Sequence, residues 1–496
     1  MTDLDILLGD EFGRSVEENL GRDPMSIALD RRLPHAAAVA SQVKYLRRAE
    51  RKLPSYYSAR CVLPPVAFEQ SSSEETAARK NYSGGLAIDL TCGLGVDSFW
   101  LSKRFERVIA VERDEFLAAV ARENFRRLGA LNIQVIRASA EEFLLDGGRA
   151  IGRADLVYAD PDRRSASGKK MVRMEDCSPD IVTLLPDIQR VASRLVVKLS
   201  PLFDVDEVFR IFGRSGGWGG GFLGGGDCQT TVCVEVVSLG GECKEIIADV
   251  VMGACAEVGA GAGVGGGAEG SDARAEARIR AVAIGLGEVE YARGDDSQAS
   301  ENRAAVASQR TLAQEFTPDE YRYLIVPDVA LQKARVARRY LLERGVWIDS
   351  DNGYGFSVGE VGGGGIGGEI GGEIGRADGG ADSGGNGGAV LGKVFEIESV
   401  EPFDPKVLRR RLKVGGVRSV EVMRHNFPLS AVEIARGLGI REGSAGGKGG
   451  GAKNSGAKSV NAESISAKGA KSGSPRIAFT KAAGKLWQVT LKEILR

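Results

Sequence analysis

Between residues 86 and 199, five short apolar runs alternate with stretches of helical spacing. That alternation limits the fold more than any other feature of the chain. The runs occupy 86–90, 108–112, 133–136, 154–158 and 195–199, and the helical stretches 96–105, 115–128 and 180–192. A short run with no polar alternation suits a strand covered on both faces, as parallel sheets require. The helices between such strands supply the crossovers. The expected class is α/β, a Rossmann-like doubly wound parallel sheet.

The flanks read differently. Residues 1–80 form an N-terminal helical region, with Ala37, Val39, Ala40, Val43 and Leu46 at helical spacing. Lys44, Arg47, Arg48, Arg51 and Lys52 crowd its polar side as a solvated face. The core spans 81–202. Residues 203–300 read as an α+β unit with a helix over 205–212 and strands over 231–237 and 245–251. A last α+β unit runs over 317–496.

Glycine accounts for 68 of 496 residues and concentrates in four blocks, 215–226, 253–271, 359–388 and 442–475. They hold few aromatic or branched residues to offset ordering entropy, so they read as insertions in loops. Lys+Arg 66 against Asp+Glu 67 excludes a polycation. No apolar stretch approaches the ~20 residues of a membrane span. The start, Met1-Thr2-Asp3-Leu4-Asp5, lacks the basic residues of a signal peptide. Seven scattered cysteines without a CxxC pair, beside only His35 and His425, point to reduced thiols, a cytoplasmic protein and no metal site.

The chemistry concentrates at two strand ends. The first reads Asp89-Leu90-Thr91-Cys92-Gly93-Leu94-Gly95-Val96-Asp97: a strand closing on an acid, a turn with two glycines, then a helix. A second strand ends at Glu112, whose carboxylate can accept hydrogen bonds from two ribose hydroxyls. A dinucleotide site seats a pyrophosphate at G-x-G-x-x-G. Here Ser98 replaces the third glycine, and Asp89 and Asp97 would repel a pyrophosphate. Acids in that place suit a sulfonium and an ammonium, which favours S-adenosylmethionine over a nicotinamide cofactor. The fourth strand runs into Asp160-Pro161-Asp162-Arg163-Arg164, placing Asp160 where a doubly wound sheet presents its ligand crevice. Arg163 and Arg164 offer planar donors to phosphate or a base edge. Lys198 ends the fifth strand and would face the same crevice. Cys92, inside the glycine turn, reads as a small packing residue.

With these stretches the chain resembles the class I S-adenosylmethionine-dependent methyltransferases, and more narrowly the bacterial ones that carry a C-terminal THUMP-like domain. Further support comes from residues 69–74, Gly168-Lys169-Lys170, Lys198-Leu199-Ser200-Pro201, Pro327-Asp328, 394–397 and Arg424-His425-Asn426-Phe427-Pro428. The resemblance implies that 203–300 is a ferredoxin-like unit. It implies that Asp89, Gly93 and Gly95 line the methionine end of the cofactor, and Thr91 and Asp97 of the same turn are counted with them as cofactor-binding. It also implies Glu112 at the ribose and Ser139, Ala140 and Glu141 near the adenine. Asp160, Arg163, Arg164 and Lys198 would serve catalysis. The family's usual Asp-Pro-Pro-aromatic segment, which stacks a flipped base, is replaced here by Asp162-Arg163-Arg164.

THUMP modules imply structured RNA as partner. Two basic clusters fit phosphates: Lys333, Arg335, Arg338 and Arg339 on a helix expected over 331–343, then Arg409, Arg410 and Arg411 with Lys406, Lys413, Arg418 and Arg424. Ser430-x-x-Glu433 is a capping box opening a helix. The expected function is methyl transfer to a tRNA or rRNA base. The alternatives are an RNA-binding module that keeps the cofactor fold without transfer, and a methyltransferase for DNA or protein.

Overall fold

A computed structural model describes residues 3–147, 151–163, 174–213, 230–252, 277–293, 316–359, 361, 390–417, 419–440 and 475–492. Most of the four glycine blocks, Arg164, Gly168, Lys169, Lys170 and Arg418 lie outside the described residues. The chain divides into two compact units, residues 1–235 with 244–278 and residues 236–243 with 279–496.

In the first unit, all five expected apolar runs are strands: β1 (Gly84–Asp89), β2 (Phe105–Glu112), β3 (Ile133–Arg137), β4 (Leu156–Ala159) and β5 (Arg194–Leu199). Their pairings β1·β2, β2·β3, β1·β4 and β4·β5 are all parallel. The chain builds outward from β1 to β2 and β3, then crosses back to β4 and β5 on the other side. The order therefore reverses between β1 and β4, the place where open α/β sheets hold ligands. A further strand, β6 (Glu242–Met252), adds antiparallel to β5 from Arg194↔Val251 to Leu199↔Ile246. Arg194 of β5 donates to Asp249 of β6 in two hydrogen bonds of 2.6 and 2.8 Å that tie the two strands together. Part of the segment that the resemblance implies as a separate ferredoxin-like unit thus joins the core sheet.

The N-terminal region is helical throughout, and it too belongs to this unit. Helix α1 (Ala36–Lys52) buries Val39, Val43, Leu46 and Ala49 in one core with Phe99, Ala110 and Phe125 of the sheet layer. Gln42 accepts from the Leu63 amide and donates to the Cys61 carbonyl. Asn124, fully buried, makes the matching pair with both backbone groups of Val62. Buried amides satisfied on both sides in this way fix one docking geometry. Two short helices follow, α2 (Pro65–Gln70) and α3 (Glu74–Arg79), the latter capped by the Ser73 hydroxyl.

On the sheet, α4 (Val96–Leu101) follows β1, α5 (Glu115–Arg127) follows β2, and α6 (Ile181–Val191) precedes β5. Asp114 caps α5 and Asp180 caps α6.

The second unit contains a six-stranded sheet. Its strands are β7 (Tyr323–Pro327), β8 (Gly355–Ser357), β9 (Gly392–Pro402), β10 (Glu421–His425), β11 (Arg476–Ala482) and β12 (Lys485–Leu491), in the order β8-β7-β9-β12-β11-β10. Among the described residues, β10 and β11 run parallel and the other neighbours of this sheet antiparallel. Helices α7 (Pro405–Val414) and α8 (Ala431–Leu438) pack through Leu408, Leu412, Ile434 and Leu438 against Phe427 and Phe479. The Ser430–Glu433 capping box forms as its spacing predicts. The helix expected over 331–343 does not run through. It is two short helices, Val329–Lys333 and Ala337–Leu342, with Arg335 between them at φ 59°. A left-handed residue cannot continue a right-handed helix. No helix among the described residues is long and apolar enough to cross a membrane.

Candidate functional site

A cavity of about 300 Å³ opens where the strand order reverses, at the carboxyl ends of β1, β2 and β4. That volume lies within the usual span of cofactor sites. Thr91, Gly93, Gly95, Asp97, Glu112, Ser139, Ala140, Glu141 and Asp160 all line it.

The glycine turn is built by local hydrogen bonds. Asp89 Oδ1 accepts from the Thr91 amide at 2.9 Å, and Oδ2 accepts from the Ser98 hydroxyl at 2.5 Å. Asp89 does not line the cavity. It is 1% exposed and braces the turn from behind. Burial pushes its carboxyl up to about 7. Thr91 in turn ties the two strand ends together, since its hydroxyl accepts from the Asp160 amide at 2.6 Å.

The two glycines serve different ends. At Gly95, φ is 87° and an added Cβ would sit 2.4 Å from Phe125 Cζ, so packing between α4 and α5 requires the bare backbone. At Gly93, φ is 55° and the amide donates to Glu112 Oε2 at 2.8 Å. Glu112 Oε1 accepts from the Asp114 amide at 2.9 Å. Each carboxylate oxygen keeps a second acceptor site. Cys92 is also among the lining residues, with its side chain packed in the core, and burial pushes its thiol well above the usual range.

Beyond β3, Ser139 opens a one-turn helix (Ala140–Glu142) with a capping box: its hydroxyl accepts from the Glu142 amide, and Glu142 accepts from the Ser139 amide. Opposite, a two-residue ribbon pairs Asp162–Arg163 with Cys177–Ser178. It brings Asp162, Ser178 and Pro179 to the cavity, where Arg113 donates to the Ser178 hydroxyl at 2.9 Å.

Lys198 does not line the cavity. Its ammonium lies behind Asp160, paired with that carboxylate and donating to Ser72 Oγ at 2.8 Å. Burial pushes the Asp160 carboxyl up while Lys198 pulls it down, and burial prevails. The Arg163 backbone is in the ribbon, its side chain is outside the described residues, and so is all of Arg164. Sequence reasoning missed Gln70, Ser71, Ser72, Arg113, Ser178 and Pro179 as lining residues. The serine run 71–73 was a visible signal. No pattern marks Arg113.

The basic positions of the second unit fare unequally. Arg409, Arg410 and Arg411 are exposed on α7, with Arg411 hydrogen-bonded to Glu401 at 2.6 Å. Arg339 is drawn over the Tyr291 ring at 4.1 Å and onto Glu343 at 3.0 Å. Arg335 is exposed, and Lys333, Arg338 and Arg424 are half-buried. No cluster of three or more His, Cys, Asp or Glu suited to a metal occurs among the described residues.

Known proteins share parts of this arrangement. Residues 392–448 match the THUMP domain-like family. A tRNA/tmRNA (uracil-C(5))-methyltransferase of Neisseria meningitidis serogroup A is 30% identical over 163 residues, covering 28% of this chain and 44% of that protein. Its counterpart from Photorhabdus laumondii is 31% identical over 142 residues, covering 25% of this chain and 38% of the other. The chain thus spans less than half the length of these curated relatives. A provisionally named methyltransferase of Porphyromonas gingivalis W83 superposes with a TM-score of 0.65 at 21% identity, covering 100% of this chain and 99% of that one. The chain thus shares the overall fold of that solved structure, with its strand order reversing between β1 and β4, and carries a THUMP-like match over residues 392–448.

Proposed function

We propose that this protein transfers a methyl group from S-adenosylmethionine to a base of structured RNA, a tRNA or rRNA, in the cytoplasm. One observation carries the reading: a cofactor-sized cavity at the strand reversal is lined by carboxylates from strands on both sides of β1, Glu112 of β2 and Asp160 after β4. The donor set suits the cofactor. Glu112 keeps acceptor sites for two ribose hydroxyls, Ser139–Glu141 form the wall beside an adenine, and Asp97 offers negative charge to the amino-acid end. When bound, S-adenosylmethionine supplies an electrophilic methyl on a cationic sulfur.

The residues then have defined tasks. Thr91 holds the Asp160 amide, so the strand end cannot drift. The Asp160 carboxylate accepts a hydrogen bond from the acceptor's N–H and aims its lone pair along the bond to be made. The carbon–sulfur bond breaks as the carbon–nitrogen bond forms, and the acceptor's proton passes to Asp160 and then to solvent. Such displacement depends mainly on proximity and orientation. The uracil C5 chemistry in the relatives' names needs a nucleophile at the ring. Cys92 is not given that role, since its side chain packs in the core at 6% exposure.

RNA capture is assigned to the THUMP-like unit, with Arg409, Arg410 and Arg411 as phosphate contacts and Lys333, Arg335, Arg338, Arg339 and Arg424 as the second basic group. The test is methyl transfer from labelled S-adenosylmethionine to total RNA of a strain lacking the gene, with Asp160→Ala beside it. Label in RNA that the variant loses is the expected result. Saturable cofactor binding with no label in RNA would overturn the reading and leave a binding module or another substrate.

A further inference from the structure

Behind the cavity, two ammonium groups are shared among three carboxylates. Lys80 follows α3 and is 3% exposed in its side chain. Its Nζ lies 2.7 Å from Asp97 Oδ1 and 3.2 Å from Glu245 Oε1 of β6. Lys198 Nζ pairs with Asp160 and stands 3.7 Å from Asp97 Oδ2. Ser72 joins the two halves, accepting from Lys198 at 2.8 Å and donating to Asp97 at 2.7 Å. Asp97 thus has two cations within reach, and Asp160 depends on the one that Asp97 does not take.

We propose that Lys80 is a positioning residue for the transfer step: by holding Asp97 it leaves Lys198 to Asp160, which keeps the Asp160 carboxylate ionised at the end of the cavity. The inference rests on the methyltransferase reading above. The physical ground is competition in a poorly solvated site. Asp97 is more deeply buried than Asp160, with side-chain exposures of 11% and 35%. An unpaired Asp97 would therefore need a cation more. Without Lys80, the nearest one is Lys198. Asp160 would then lose its partner, protonate more readily and cease to accept a hydrogen bond.

Other groups surround this network. Asp89 of β1 is a further carboxyl within electrostatic reach of Asp97 and Asp160, the neutral Tyr158 ring of β4 lies 5.8 Å from Lys80 Nζ, and Lys52 of α1 lies within electrostatic reach of Lys198. None of them hydrogen-bonds Asp97 or Asp160 in the arrangement described. Glu245 competes with Asp97 for Lys80, so its removal acts opposite to the removal of Lys80.

The test is the pH profile of single-turnover methyl transfer to RNA by the full chain, for wild type, Lys80→Met, Lys80→Arg and Glu245→Gln. An opposite charge at this range moves a carboxyl by ~1–3 pH units. Lys80→Met therefore moves the acid limb up by ~1 unit and slows transfer ~10-fold at its acid side. Lys80→Arg restores the limb, and Glu245→Gln moves it down. A rate loss equal at every pH with the limb in place would overturn the proposal. If Lys80→Met does not fold, Glu245→Gln decides: an unmoved limb sinks the proposal. Wild type that moves no label to RNA removes the methyltransferase reading and this inference together. Wild type that transfers, with unmoved limbs in the variants, removes only the inference.

Discussion

Each unit buries an ionisable group beside its characteristic motif, and the two groups answer protons in opposite directions. In the first unit Asp89 is 1% exposed, and burial lifts its carboxyl to about 7. In the second, His425 ends β10 at 5% exposure, its ring 5.3 Å from Tyr354 and its Nε2 without a hydrogen-bond partner. Burial first, and the Arg424 charge second, push it down to about 4. Desolvation is the same force in both cases. It disfavours whichever form is charged, so it raises an acid and lowers a base. The site unit tolerates such groups because they brace a turn or pair with one another. The second unit also presents charge outward, with Arg409, Arg410 and Arg411 exposed on α7.

The largest expected effect tests whether the inward charges alone run the chemistry. Asp160→Asn should slow single-turnover transfer ~10³-fold while leaving RNA affinity, read by filter binding, near wild type. A matching loss of RNA affinity would break the division between the units.

The next concerns the two buried groups. The folded protein binds more protons at Asp89 than the unfolded chain between pH ~4 and ~7, so that contribution to stability falls as pH rises. At His425 the unfolded chain binds more between pH ~4 and ~6.5, so that contribution rises with pH and is lost as pH falls through about 4. Across each window the stability changes by at most ~1.4 kcal/mol per pH step of one. Urea unfolding should show Asp89→Asn gaining more at pH 7.5 than at pH 5, and His425→Phe gaining more at pH 5. Gains at the same pH would erase the contrast.

Gly95→Ala sharpens the packing side. It combines a left-handed φ of 87° with a contact 2.4 Å from Phe125, and should cost ~3 kcal/mol in urea unfolding. A loss below ~0.5 kcal/mol would show that α4 and α5 yield easily. The smallest effect lies on the outward charges. Arg409→Gln with Arg410→Gln should weaken RNA binding ~10-fold at low salt and lower the salt slope by ~2. The transfer rate on saturating RNA should not change. An unchanged slope would move the RNA contact away from α7.

Much of the core was legible because strand and helix periods are local. Five apolar runs became five strands, and the acid–glycine turn lies where the strand order reverses. The cavity wall from Thr91 to Glu141 was readable too, since fixed strand ends carry those residues to one place. Less local features were not. The 331–343 helix breaks at Arg335, a choice of backbone well that helical spacing does not reveal. Lys198 was expected to face the crevice, and the structure turns its ammonium to Asp160 and Ser72 behind the wall.

The sequence by itself determined the sheet class, the glycine turn, the Ser430 cap and the residue types at the cavity, because each depends on neighbours a few positions apart. Only the tertiary structure decided that β6 joins the core sheet antiparallel to β5, that residues 70–72 wall the cavity, and that Lys80, Asp97, Ser72, Lys198 and Glu245 share one charge network. Those partners stand 17 to 165 residues apart along the chain. Electrostatic pairing depends on distance and burial in space, which no period along the sequence encodes.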